Sequence, residues 1–146
     1  MTSVSQNTLA NAMSVCAGRQ QSTAEITADT TLTTAYNGYI VRVGSLAADS
    51  TITLPAVADA VGMSCKLFVT QDNTTTTFDL GIAAQTGEVI KGSIVHTTTG
   101  ALIQLQEDIS FGFTQPNIGS YCDLYCDGEQ WLASGVCVGA FQATPS

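Results

Sequence analysis

His96 is the one histidine in the chain, so any Ser–His–Asp, Cys–His or imidazole–metal site would have to use it. It closes the apolar run Ile94-Val95-His96, is followed by Thr97, Thr98 and Thr99, and has no G-x-S-x-G elbow to serve. That context puts it at a strand end, facing solvent or a neighbour. The five cysteines, Cys16, Cys65, Cys122, Cys126 and Cys137, cannot all pair within one chain, and in a reducing compartment they read as small buried apolar residues. Cys122 and Cys126 are four apart, which in a strand separates their Cα atoms by about 13 Å at about 3.3 Å per residue. A shared zinc ion, with ligands at about 2.3 Å, or a disulfide, with Cα atoms within about 7 Å, does not fit that spacing. A bridge from either to Cys65 or Cys137 stays open in an oxidising medium.

The carboxylates offer less. Asp123 and Asp127, with Gly128 and Glu129 beside them, lack the D-x-[DN]-x-[DN]-G spacing of a calcium loop, and a hairpin would turn them towards solvent. Acid pairs for glycoside hydrolysis come from distant strands and obey no spacing rule, so no particular Asp or Glu is singled out. Phosphate loops, dinucleotide fingerprints and HExxH are absent from the sequence. Asn73-Thr74-Thr75 matches the glycosylation acceptor pattern but reads as a turn. The sequence therefore leads to an expectation of no catalytic residue, no metal and no cofactor.

The rest of the chain explains what would hold such residues. Of the 146 residues, 45% are hydrophobic and only 11% charged, against about 25% charged in ordinary soluble domains. Threonine supplies much of the polarity, and its branched side chain suits a pleated surface better than an exposed helix. Four Lys or Arg against twelve Asp or Glu give a net charge of -8. So few cations cannot neutralise a nucleic-acid backbone or draw the chain to an anionic membrane. The opening residues MTSVSQNTLANAMSVCAG lack the positive start and apolar core of a secretion signal. Synthesis and retention in a cytoplasm are expected.

Residues 1–25 are polar and lack alternation; they read as an arm, with one short helix possible over Thr8 to Ala17 that places Leu9 and Met13 on one face. Residues 26–146 read as one β domain, because period-two patterns recur every 10 to 15 residues. Tyr39, Val41 and Val43 share a face, as do Ile52 and Leu54, and then Met63, Cys65, Leu67 and Val69. Further strands are expected at Thr74 to Leu80, Glu88 to His96, Ala101 to Gln106 and Ser110 to Thr114. Asp127-Gly128 suits a two-residue type I′ turn between Tyr121–Cys126 and Glu129–Ala133, which would set Cys126 opposite Glu129 and Leu124 opposite Trp131. The expected fold is all-β: a single antiparallel β-sandwich or jelly-roll-like barrel with an extended or short-helical N-terminal arm. Leu54, Leu67, Val69, Leu124 and Trp131 are its expected core.

Two stretches carry a family resemblance. Ile52-Thr53-Leu54-Pro55-Ala56, followed by a glycine-containing loop and Met63-Ser64-Cys65-Lys66-Leu67-Phe68-Val69, resembles a segment of small virion surface proteins of tailed bacteriophages. Tyr121 to Gly135, with its Asp-Gly turn and tryptophan strand, resembles the close of such domains. Chains of this kind are similar to capsid decoration (cement) proteins. The resemblance implies a homotrimer on the capsid exterior, stabilising contacts between subunits of the major capsid protein. The arm, through Leu9, Met13, Val15 and Arg19, would grip the capsid. The same strand grammar occurs in tail-fibre and spike domains, for which the resemblance implies receptor or carbohydrate binding, with Tyr36, Tyr39 or Tyr125 as an aromatic platform.

Overall fold

The computed structural model describes residues 21–73 and 77–145. The structure is all-β: eleven strands in one curled sheet, with a single 3-10 turn at Thr34–Tyr36 among the described residues. In chain order the strands are β1 (Thr23–Ile26), β2 (Thr30–Thr31), β3 (Ile40–Val43), β4 (Ser50–Thr53), β5 (Ser64–Val69), β6 (Leu80–Ala83), β7 (Ile90–His96), β8 (Ala101–Thr114), β9 (Tyr121–Cys126), β10 (Trp131–Cys137) and β11 (Ala140–Pro145). The sheet takes up the chain at Thr23, inside the span read as an arm.

Pairing departs from the antiparallel expectation. The spatial order is β1-β3-β5-β9-β10-β7-β8-β6-β4-β2, with β11 beside β8. β1, β3 and β5 stack parallel, and so do β2, β4 and β6. Parallel neighbours need a crossover between them. Here each crossover is the intervening strand of the opposite stack, so the first half of the domain winds as a two-sided coil. The second half is largely antiparallel: β9 pairs with β5, β8 with both β7 and β6, and β9 with β10, while β10 and β7 run parallel. These strands join the two stacks into a nearly closed barrel whose seam lies between β1 and β2.

One apolar core fills it. Val41, Val43, Ile52, Leu54, Leu67, Val69, Leu80, Ile82, Phe113, Leu124 and Trp131 are all buried. The alternation that places them is the ordinary consequence of a half-buried pleat. The indole of Trp131 donates to the carbonyl of Pro55 at 3.1 Å, so its single polar atom is satisfied inside the core. Around it, the Gln85 amide donates to Leu54 O and the Val57 amide donates to the Glu88 carboxylate, fixing the Pro55–Gly62 loop above the indole.

Aspartates tie the coil's corners together. Asp29, Asp49 and Asp79 each precede a strand of the second stack, and their carboxylates accept from the backbone amides of Thr51, Asp79 and Gln115 respectively, at 2.7 to 3.0 Å. Asn73 performs a similar task from inside. It is fully buried; its carbonyl oxygen accepts from Leu46 N at 2.9 Å and its amide nitrogen donates to Gly44 O and Gln71 O. An amide so enclosed cannot carry a glycan in the folded chain.

Several strand boundaries differ from the sequence reading. Ala101–Gln106 and Ser110–Thr114 form one continuous strand, β8, which crosses from β7 to β6 through a bulge where Ile90 pairs with Asp108 but Gly92 with Leu105. The buried Asp108 carboxylate accepts the Gln106 amide there. β6 begins at Leu80, where the strand read at Thr74 to Leu80 was to end. The last hairpin has a four-residue loop, Asp127 to Gln130, in place of the expected two, so Trp131 faces Cys126 and Leu124 faces Ala133. The cause is Asp127, whose carboxylate accepts both the Glu129 and Gln130 amides at 2.8 and 2.9 Å and so closes a wider turn. Those bonds, Glu129 first, hold the exposed Asp127 carboxyl below its ordinary pKa. The two-residue shift preserves which face each side chain takes.

Candidate functional site

His96 is tied up in structure. Its Nδ1 lies 2.8 Å from Thr99 Oγ1, and its Nε2 bonds the carbonyl of Gly139. A carbonyl only accepts, so Nε2 is the donor in that bond. The ring thereby pins the β7–β8 turn to the corner between β10 and β11.

The four described cysteines are free thiols, buried in the core. Burial, reinforced by the charge of Asp123, pushes the Cys65 thiol up to about 12. Burial likewise drives Cys122 and Cys126 upwards and takes Cys137 to about 11. Thiols held neutral in this way are poor nucleophiles and poor metal ligands. Among the described residues no three His, Cys, Asp or Glu side chains gather in a way that could hold a metal ion. Leu9, Met13, Val15, Arg19 and Cys16 lie outside the described residues.

What the fold does assemble is a surface. Register carries outward-facing residues into rows across the sheet. One row runs Glu25, Arg42, Phe68, Tyr121, Val136, Val95, Leu102, one residue from each of seven neighbouring strands. Its last five members are apolar or aromatic and cross β5, β9, β10, β7 and β8, a reach of about 19 Å at about 4.8 Å per strand. Phe68 and Tyr121 stack with ring planes 12° apart. Val95 is 39% and Leu102 67% exposed, although they are direct cross-strand partners.

The charges near this row cancel in pairs. Arg42 meets Glu25, Lys66 meets Asp123 at 3.4 Å, and Lys91 meets Glu107. The Lys66 ammonium also sits 4.9 Å from the centre of the Tyr121 ring. The three cations of the described residues are thus all neutralised locally, while the net charge of -8 resides elsewhere.

Two to four residues along the strands from the apolar row lies an open groove of about 480 Å³. Tyr39, Ser64, Lys66, Asp123, Tyr125 and Leu132 are among its lining residues. The three tyrosines read as a platform divide. Tyr36 and Tyr39 meet edge to face at 5.6 Å and pack partly against the core, whereas Tyr125 projects from β9 and is 45% exposed. Only Tyr39 and Tyr125 reach the groove.

Alternation assigns faces within one strand, but Val136 lies beyond the strand expected at Glu129–Ala133. The rows were not readable in the sequence, because they depend on register and on which strands are neighbours. Neither a known protein family nor a characterised protein sequence matches this chain at a significant level.

Proposed function

We propose that the chain is a structural virion protein that docks on the exterior of a phage capsid, as a homotrimer, and stabilises contacts between subunits of the major capsid protein. The observation that carries the proposal is the apolar row Phe68–Tyr121–Val136–Val95–Leu102 on a face whose ion pairs are internally balanced. Burying such a row removes apolar area from water without stranding an unpaired charge, the condition under which close docking is favourable. The row lies on paired strands of one sheet, so few backbone segments need ordering on binding. A protein that binds the assembled shell and not its separated subunits stabilises the shell by mass action, needing area and no chemistry.

The test is binding of the purified chain to capsids of its own phage stripped of surface proteins, followed by imaging of the particles. Val95→Asp with Leu102→Asp should weaken binding at least about tenfold, since each places an unpaired charge in a desolvated contact. Regularly spaced density on the shell, lost in this variant, is expected. A variant that folds and decorates shells like the parent overturns the proposal. Removal of residues 1–20 in the same assay measures what Leu9, Met13, Val15 and Arg19 contribute.

A further inference from the structure

We infer that Asn37–Gly38 is a site of spontaneous covalent modification, where the asparagine loses ammonia through a cyclic imide and becomes aspartate or isoaspartate. Two hydrogen bonds to Ser64 restrain the reaction while the chain is folded. This goes beyond capsid docking and does not rest on it. Asn37–Gly38 is the one Asn-Gly pair in the sequence. It lies between the 3-10 turn Thr34–Tyr36 and β3, and both residues are exposed.

The chemistry needs only the chain and water. The backbone nitrogen of Gly38 attacks Cγ of Asn37 and forms an N–Cγ bond. The Cγ–Nδ2 bond breaks, and the departing nitrogen takes up the proton that Gly38 N gives up and leaves as ammonia. Water then opens the five-membered imide. Cleavage at the side-chain carbonyl gives aspartate, and cleavage at the backbone carbonyl leaves the main chain running through the side chain, as isoaspartate. A glycine nitrogen makes this attack most readily, because no Cβ stands beside it. At Gly38, φ is 77° and a Cβ would meet nothing within 4 Å, so the turn around it is open.

The fold engages both reacting groups. Gly38 N donates to Ser64 O at 2.7 Å, and Ser64 N donates to Asn37 Oδ1 at 3.0 Å. The nucleophile's proton and the electrophile's oxygen are thus bracketed by the first residue of β5. Asn37 has ψ at 127°, and ring closure requires rotation about its Cα–C bond to bring Gly38 N to Cγ. That rotation breaks the bond to Ser64 O. Each hydrogen bond contributes a modest factor, so the pair slows the reaction by about tenfold to a hundredfold without abolishing it.

The other asparagines are poorer sites. Asn73 is buried with both amide atoms bonded, and Asn117 is followed by the branched Ile118. Asn7 and Asn11 precede Thr8 and Ala12, each with a Cβ beside the attacking nitrogen. Conversion at Asn37 adds a negative charge to a chain already at -8. Isoaspartate also inserts a carbon into the main chain just before Tyr39, whose carbonyl accepts from Lys66 N where the β3–β5 ladder begins.

The test incubates the full purified chain at mildly alkaline pH in buffer and, in parallel, in concentrated guanidinium. Peptides are then mapped by mass spectrometry, with electron-transfer fragmentation to separate aspartate from isoaspartate. The peptide containing Asn37 should be the first to exchange amide for acid in both samples, about tenfold to a hundredfold more slowly in the folded one. Its rate should rise with pH, because Gly38 N must lose its proton. Ser64→Pro, at the first position of β5 where proline is tolerated, removes one donor of the bracket. Shown to be folded by circular dichroism, this variant should convert at least about threefold faster than the parent; if it does not fold, the two parent samples decide. The site is overturned if another asparagine converts first, or if folded Asn37 is unchanged over about a hundred half-lives of the unfolded chain. The restraint is overturned if folded and unfolded chains convert alike, or if folded Ser64→Pro keeps the parent's rate.

Discussion

Cysteine shows how far residue type alone leads. Reading Cys65, Cys122, Cys126 and Cys137 as small buried hydrophobes needs only their alternation with polar residues, and the structure places all four in the core as free thiols. Their consequence is a dependence of stability on pH. Because burial raises the Cys65 thiol from 9.0 to about 12, the folded chain retains its proton where the unfolded chain has lost it. The unfolded state then binds fewer protons, so stability is intact below pH about 9 and falls as pH rises towards the folded value. Each such thiol removes up to about 1.4 kcal/mol per pH unit inside that window. Urea titrations from pH 8 to 10.5 should show a shallower decline for Cys65→Val than for the parent; parallel declines would mean that Cys65 is solvated. The carboxylates were less legible. Asp29 and Asp49 sit in the similar stretches Ala28-Asp29-Thr30-Thr31-Leu32 and Ala48-Asp49-Ser50-Thr51-Ile52, and this spacing of twenty was the signal of a coil that alternation could not supply.

At the scale of elements, strand existence was largely written in the sequence and strand partnership was not. Alternation in Met63 to Val69 says which side chains face inwards, but it is identical for parallel and antiparallel neighbours. The glycines of β7 and β10 carry information that pattern reading passes over. A Cβ on Gly92, where φ is 138°, would lie 1.8 Å from the carbonyl oxygen of Ala133, and one on Gly135 would lie 2.1 Å from that of Tyr121. β10 is therefore pressed between its two neighbours so closely that only hydrogen fits at these points. The obstruction is backbone in both cases, which no rotamer change relieves. Gly135→Ala should cost about 1 to 3 kcal/mol or more, the range of overpacked sites. The exposed neighbour Ser134→Ala, on the same strand, should change stability by no more than about 0.5 kcal/mol. Denaturant midpoints for the pair measure this directly. Equal midpoints would show that β7, β9 and β10 can spread apart and that their spacing is not fixed by the glycines.

For the whole molecule the question is whether two stacked coils and a set of bridging strands behave as one body. A simple solenoid need not, since each coil touches only its neighbours and can be lost from one end. This chain is built differently. β8 pairs with β7 and with β6, and β9 continues the other stack from β5, so both stacks end in the same bridging strands. Their inner faces share one core, in which Trp131 from the bridging half packs under the Pro55–Gly62 loop from the coiled half. Losing the coils would thus expose the tryptophan's surroundings, and losing the bridge would open both stacks. Unfolding should be a single transition. Tryptophan fluorescence reports the one indole, Trp131, whereas far-ultraviolet circular dichroism reports strands throughout, and coincidence of two such probes is the standard evidence for one cooperative step. Their denaturant curves should superimpose. Dichroism that declines before fluorescence changes would mean that the β1–β4 coils fray independently, and that the rigidity required of a docking surface is confined to the bridging strands.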